Sequence, residues 1–203
     1  MTSFPALVVG LAGATVVVLL GACSHPAQQP SQASTTAAAA SGQPSEYNPP
    51  GDIPDNQTFV SYTAVDGSYS VKYPEGWART ESGDSVVFSD KFNSVTLTPH
   101  NGFYQPTEDF AKNVEQPQIA ATTEGFKAGS VSTVQRSAGP AILITYQRQS
   151  APSPVTGKSV TQDVQCYEFA KGGRGVAITL ASPVGSDNVD PWRVVTDSFT
   201  WLT

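Results

Sequence analysis

Two hydrophobic patterns divide this chain. Residues 6–22 form an unbroken apolar run, and the stretch 23–57 then offers only Tyr47 and Ile53 as large apolar side chains. From residue 58 onward the apolar positions come in short alternating segments. Tyr69, Val71 and Tyr73 alternate with polar residues and stop at Pro74-Glu75-Gly76, which predicts a strand and a turn. Residues 84–89 and 93–98 predict a hairpin with Phe88, Val95 and Leu97 facing inward. Thr107-Glu108-Asp109 predicts a helix start, because a hydroxyl caps it and the acids suit its positive end. Phe110 and Val114 stack one turn apart on that helix, and Pro117 is expected to end it. Further strands are predicted at 130–136, 141–149, 160–171 and 175–182. Lys171-Gly172-Gly173-Arg174-Gly175 joins the last two as a hairpin turn. Its glycine spacing matches neither G-x-G-x-x-G nor a P-loop, and no helix follows, so it is no phosphate cradle. At the end of the chain Asp190 reads as a cap and Pro191 as the first helical residue. Trp192, Val195, Phe199 and Leu202 then recur at the spacing of an amphipathic helix. The order of elements predicts an α+β fold with a central antiparallel β-sheet flanked by helices.

Charge sharpens the division. The 203 residues carry 11 Lys and Arg against 17 Asp and Glu, a net charge of −6, and no charged side chain precedes Glu46. The basic residues are scattered from Lys72 to Arg193, which argues against nucleic-acid binding. Two cysteines and two histidines argue against a Cys/His zinc site and against a disulfide scaffold. The run 6–22 is short for a bilayer span, where about 20 residues are typical, and it suits the apolar core of a secretory signal. It ends in Leu20-Gly21-Ala22-Cys23, which resembles the bacterial lipobox: an aliphatic residue, two small residues, then the cysteine that is acylated. Cleavage is expected between Ala22 and Cys23, with Cys23 carrying a thioether-linked diacylglyceryl group and a further palmitate-type chain. Two or more chains hold a protein stably on a membrane. The expected organisation is a lipoprotein signal peptide at 1–22, a lipidated cysteine with a disordered Pro/Ala/Ser/Thr linker at 23–57, and one folded domain at 58–203. The expected location is the outer face of the cell membrane, with some protein released outside the cell.

Tyr69-Ser70-Val71-Lys72-Tyr73-Pro74-Glu75-Gly76-Trp77 resembles the opening of PsbP-like domains, in which a strand leads into a Pro-x-Gly-Trp turn. Asp190-Pro191-Trp192-Arg193 through Asp197-Ser198-Phe199-Thr200-Trp201-Leu202 is similar to their closing helix. The superfamily includes a photosynthetic extrinsic protein, a Mog-type nuclear import factor and the LpqN-type lipoproteins of actinobacteria, the last being most similar in composition and lipobox. The resemblance covers residues 58–203 and implies a PsbP-like sandwich. It also implies an interaction or assembly module, although fold alone does not determine function.

Residue chemistry points away from catalysis. Cys166 alternates with Val164 and Glu168 as a packed core residue does, and the one histidine of the domain, His100, lies in a Pro-His-Asn-Gly turn. No G-x-S-x-G nucleophile elbow is present. Glu108 and Asp109 are adjacent and cannot face one another on a helix. Asp187-Asn188-Val189-Asp190 lacks the ligand count of a calcium loop. Trp77 and Trp192 read as packing residues, whereas Trp201 is the candidate partner contact. No enzyme activity, cofactor or metal is therefore expected, and the first reading is a membrane-anchored domain that binds an envelope or extracellular protein. Two alternatives stand beside it. A cavity lined by Val176, Ile178 and Leu180 would indicate a carrier of lipid or another small apolar ligand. A cleft joining His100 to Cys166 would indicate a cryptic enzyme.

Overall fold

A computed structural model describes residues 51–202. In chain order the elements are strands β1 (Phe59–Thr63), β2 (Tyr69–Pro74), β3 (Ala78–Ser82), β4 (Ser85–Asp90) and β5 (Asn93–Pro99). Helix α1 (Glu108–Phe110), a π-helical turn (Ala111–Glu115) and helix α2 (Gln116–Thr122) follow without a break. Then come β6 (Lys127–Arg136), β7 (Gly139–Gln149), β8 (Thr161–Lys171), β9 (Arg174–Pro183), α3 (Val189–Asp197) and β10 (Thr200–Trp201).

Seven strands form one antiparallel sheet in the order β3-β4-β5-β9-β8-β7-β6, and β1-β2-β10 form a second, smaller one. Register follows from the side-chain alternation. Val95 pairs with Leu180, Leu97 with Ile178, and Val176 with Phe169, so one face of the large sheet is a continuous apolar surface. The small sheet and α3 cover that face with Tyr62, Tyr69, Val71, Trp192, Val195 and Phe199. The opposite face carries Ile144, Val164, Cys166, Ala177 and Ala181, and the helical segment packs on it through Ala111 and Ile119. The result is three layers: small sheet with α3, large sheet, helix. This is the α+β sandwich that the pattern predicts, and the inward positions Phe88, Val95 and Leu97 are fully buried. The turn between β8 and β9 is a two-residue hairpin at Gly172 and Gly173, whose φ angles of 61° and 81° are those a type I′ turn needs.

Several boundaries differ from the sequence reading. The segment 51–57, grouped with the linker by composition, is partly folded into the domain. Ile53 is buried in the main core, and its N–H donates to Asn188 Oδ1 at 2.7 Å. Asn188 Nδ2 and Asn93 Nδ2 both donate to the Gly51 carbonyl, at 2.9 and 3.0 Å. That use of its side chain explains why Asn188, although it precedes α3, provides no side-chain cap, and α3 begins before Asp190 and Pro191. The closing helix is also shorter than its apolar spacing suggests. It stops at Asp197, Phe199 is buried just beyond it, and Trp201 pairs with Tyr69 in the small sheet. Leu202 is 49% exposed. Pro117 does not end the helical segment. The π turn closes with a bond from Gln116 N–H to Ala111 O, and the widened turn accommodates a proline that lacks a donor. It also rotates the buried face, so Ala111 and Glu115 face the sheet while Phe110 and Val114 are exposed. Strand β3 is exposed along its whole length and offered no apolar signal.

No helix among the described residues is long and apolar enough to cross a membrane. The expected signal segment, Ala22, Cys23 and the expected linker up to residue 50 lie outside the described residues.

Candidate functional site

A buried polar cluster lies between the large sheet and the π turn. On β8 the two-residue period puts Cys166 and Glu168 on the same face. Thr179 lies across from Cys166, and the small Ala177 lies across from Glu168. His100 and Tyr104 come from the segment after β5. It is tied to the start of β9 by His100 N–H to Gly175 O at 2.9 Å and Tyr104 N–H to Gly173 O at 2.8 Å. The two rings stack almost parallel, 3.6 Å apart at 6°. Gly175 makes this possible, since a Cβ there would sit 2.2 Å from Tyr104 Cδ1. Glu115, the last residue of the π turn, completes the group.

The contacts form two branches. Glu168 Oε2 lies 2.6 Å from His100 Nε2, and Glu168 Oε1 accepts from the Cys166 thiol at 3.3 Å, which itself accepts from Thr179 Oγ1 at 3.3 Å. Tyr104 OH donates to Glu115 Oε1 at 2.6 Å. The other oxygen, Glu115 Oε2, is buried and has no hydrogen-bond partner. One ligand atom each from His100, Glu115 and Glu168 lies within 4.8 Å of the others, so these three are the residues that could hold a metal.

Burial sets the electrostatics. It raises the Glu115 carboxyl above its ordinary value against the lowering effect of the Tyr104 hydroxyl. Burial, then the nearby Glu168 charge, raises the Tyr104 phenol and pushes the Cys166 thiol well up. The cluster is not sealed. The His100 side chain is 25% exposed, and Glu168 lines a groove of about 510 Å³ shared with Gln105, Thr107, Glu108 and Thr133. Beside it, Phe103, Tyr104, Lys171 and Gly173 border a smaller hollow of about 290 Å³. Phe103 is 83% exposed, and its ring lies so close to Gly173 that a Cβ there would meet it at 2.6 Å.

His100 and Cys166 are thus neighbours, but Glu168 stands between them as the partner of both. A nucleophilic cysteine needs a thiolate. Cys166 is buried and held in the thiol form, so its geometry is that of a packed residue. We expect a thiol reagent at neutral pH to leave Cys166 unmodified in the native domain and to label it fully in denaturing urea. Rapid labelling of native protein would contradict this.

The other sequence candidates lie apart from the cluster. Glu108 caps no partner acid but accepts from Thr133 N and Oγ1 at 2.8 and 2.7 Å. Thr107 is the cap of α1, accepting from Phe110 N–H at 3.1 Å. Around Asp187 and Asn188 the polar groups bind the 51–53 segment rather than converge on a cation. Trp77 meets Trp192 edge to face at 6.3 Å. Trp201 is partly buried, edge-on to Phe199 at 5.0 Å with the Arg174 guanidinium 5.6 Å above its ring. Val176, Ile178 and Leu180 are packed in the core.

Glu115, Glu168, Tyr104 and Phe103 were not singled out by the sequence reading. For Glu168 a signal existed: an acid in phase with Val164 and Cys166 must be buried, and a buried acid needs partners. For Glu115 none existed, because the π turn displaces it from the face that regular helical spacing assigns.

The domain has the PsbP-like fold. It superposes on cyanobacterial PsbP from Synechocystis with a TM-score of 0.50 and 11% identity, over 74% of this chain and 98% of that one. LpqN of Mycobacterium tuberculosis, described as involved in cell envelope biogenesis, gives a TM-score of 0.40 and 15% identity over 73% of this chain and 93% of that one. A Bacteroides thetaiotaomicron structure gives 0.44 and 12% over 70% of this chain, which spans about half, 48%, of that protein's length. No protein-family model and no curated protein sequence matches the chain.

Proposed function

We propose that the chain is a lipid-anchored envelope protein whose folded domain binds a protein partner without catalysing a reaction. The observation that carries this reading is Phe103. A phenyl ring that is 83% exposed, held against the Gly173 backbone at the rim of the smaller hollow, suits an interface anchor. At protein interfaces a few residues, aromatic ones often among them, supply most of the binding energy. The buried, protonated Cys166 supports a domain without a nucleophile. The tight packing of Val176, Ile178 and Leu180 weighs against carriage of an apolar ligand between the layers. The lipobox at Cys23 supports attachment to the outer face of the cell membrane.

A photo-crosslinking residue at position 103 of the full chain, irradiated in intact cells, is expected to give a discrete protein adduct in the membrane fraction. The same probe at Val155, which is 90% exposed, is expected to give none. No reproducible protein adduct, or only lipid adducts, would overturn the partner reading. In the extracted chain, intact mass is expected to start at acylated Cys23; a retained Met1 with no acyl mass would remove the anchor.

A further inference from the structure

We propose that His100, Glu115 and Glu168 form a binding site for one divalent transition-metal ion. Three observations converge on it. The donor atoms lie within 4.8 Å of one another, although their residues come from a loop, a helical turn and a strand far apart in the chain. Glu115, a member of this group, has a second carboxylate oxygen, Oε2, that is buried and unpartnered. The remaining donors are already oriented by neighbours.

Two carboxylates facing each other out of water repel, and a cation between them relieves that repulsion. A hydrogen bond between His100 and Glu168 accounts for the 2.6 Å contact but leaves Glu115 Oε2 without a partner. A metal ion satisfies all three residues at once. Bound about 2.1 Å from each donor, it brings the donors to roughly 3–3.5 Å from one another. Rotation of the Glu115 carboxyl about its terminal torsion, which is soft, closes its side, while His100 Nε2 and Glu168 Oε2 open from 2.6 Å to admit the ion.

The surrounding contacts match those found behind metal ligands. Tyr104 OH fixes Glu115 through Oε1, and the Cys166 thiol, itself accepting from Thr179, does the same for Glu168 through its Oε1. Stacking on Tyr104 holds the His100 ring, and Gly175 leaves room for that stack. One imidazole with two carboxylates suits Zn²⁺, Mn²⁺ or Fe²⁺ better than Cu⁺ or Ca²⁺. The groove beside Glu168 and the partial exposure of His100 give an entry path and leave room for water in an open coordination position. The low count of cysteines and histidines that speaks against a Cys/His zinc site does not touch a site built mostly from carboxylates.

The test is calorimetric titration of the tag-free, chelator-stripped full chain with Zn²⁺ and, separately, with Mn²⁺ at pH 7. One equivalent of at least one ion is expected to bind and to raise the thermal midpoint. Glu115→Gln and His100→Gln are each expected to weaken binding by about tenfold or more, the scale of disturbing a metal shell, and to abolish the midpoint shift. Glu115→Gln keeps an acceptor for Tyr104, and His100→Gln lies at the partly exposed edge, so one tests the site if the other fails to fold. Glu108→Gln, which alters a carboxylate of the same groove outside the donor set, is expected to bind as the parent does. Failure of both ions to bind at about millimolar concentration, or binding unchanged in both folded variants, would overturn the proposal.

Discussion

Replacing Phe199 by alanine is expected to lower the unfolding free energy by about 3–5 kcal/mol, the usual cost of truncating a buried phenylalanine. Phe199 is fully buried at the junction of α3, the small sheet and the large sheet. Its ring stacks on Phe169 of β8 at 4.5 Å, meets Trp201 of β10 edge-on at 5.0 Å and lies 5.6 Å from Tyr69 of β2. A cavity there cannot collapse without moving elements of both sheets, so the loss falls at the upper end. Domains of this size have total stabilities of about 5–15 kcal/mol, so the variant retains a small fraction of the original. Urea unfolding followed by tryptophan fluorescence reads the change. A loss of less than about 1 kcal/mol, the scale of a surface change, would show that the packing around Phe199 is not as described.

Gly175→Ala is expected to have the second-largest effect, and through a different cause. The new methyl would meet Tyr104 Cδ1 at 2.2 Å and His100 Cδ2 at 3.0 Å, so the stacked pair must move. Overpacking of this kind costs about 1–3 kcal/mol. If Tyr104 leaves, Glu115 loses its one hydrogen bond, and stranding a buried acceptor costs a further 1–3 kcal/mol or about that. The same urea titration measures the stability. Thiol labelling of Cys166 supplies a local readout, because loosening the cluster opens the route to it. A variant as stable as the parent, with Cys166 still protected, would contradict the close approach.

These two sites differ in how far the sequence exposes them. The strands of the large sheet were legible because Val95, Leu97, Ile178 and Leu180 alternate with polar residues and every turn between them carries glycine, proline or a polar pair. The apolar spacing at the end of the chain was legible as well, but it does not distinguish a helix that continues from one that stops and feeds a short strand. Phe199 is buried either way, and only the pairing of Trp201 with Tyr69 decides the path. Helical spacing failed at Val114 because a π turn inserts an extra residue per turn, and periodicity analysis assumes a constant turn. Linker composition failed at Ile53, a lone apolar side chain that finds Asn188, 135 positions away, to hold its backbone. The polar cluster was the least legible part. Cys166 and Glu168 share a strand, but His100, Tyr104 and Glu115 join them only through sheet register and one missing side chain at Gly175.

The fastening of residues 51–53 to Asn188 and Asn93 also sets where the described chain joins the domain. That fastening sits at the Pro183 end of β9, whereas Gly175, His100 and Phe103 gather at its Arg174 end. The ten residues of β9 separate the two ends by about 30 Å at the usual rise of a strand. The chain therefore enters at one pole and presents its groove at the other. A force applied at residue 51 would load two asparagine side chains and a glycine carbonyl first, at the end of β9 opposite His100 and Phe103.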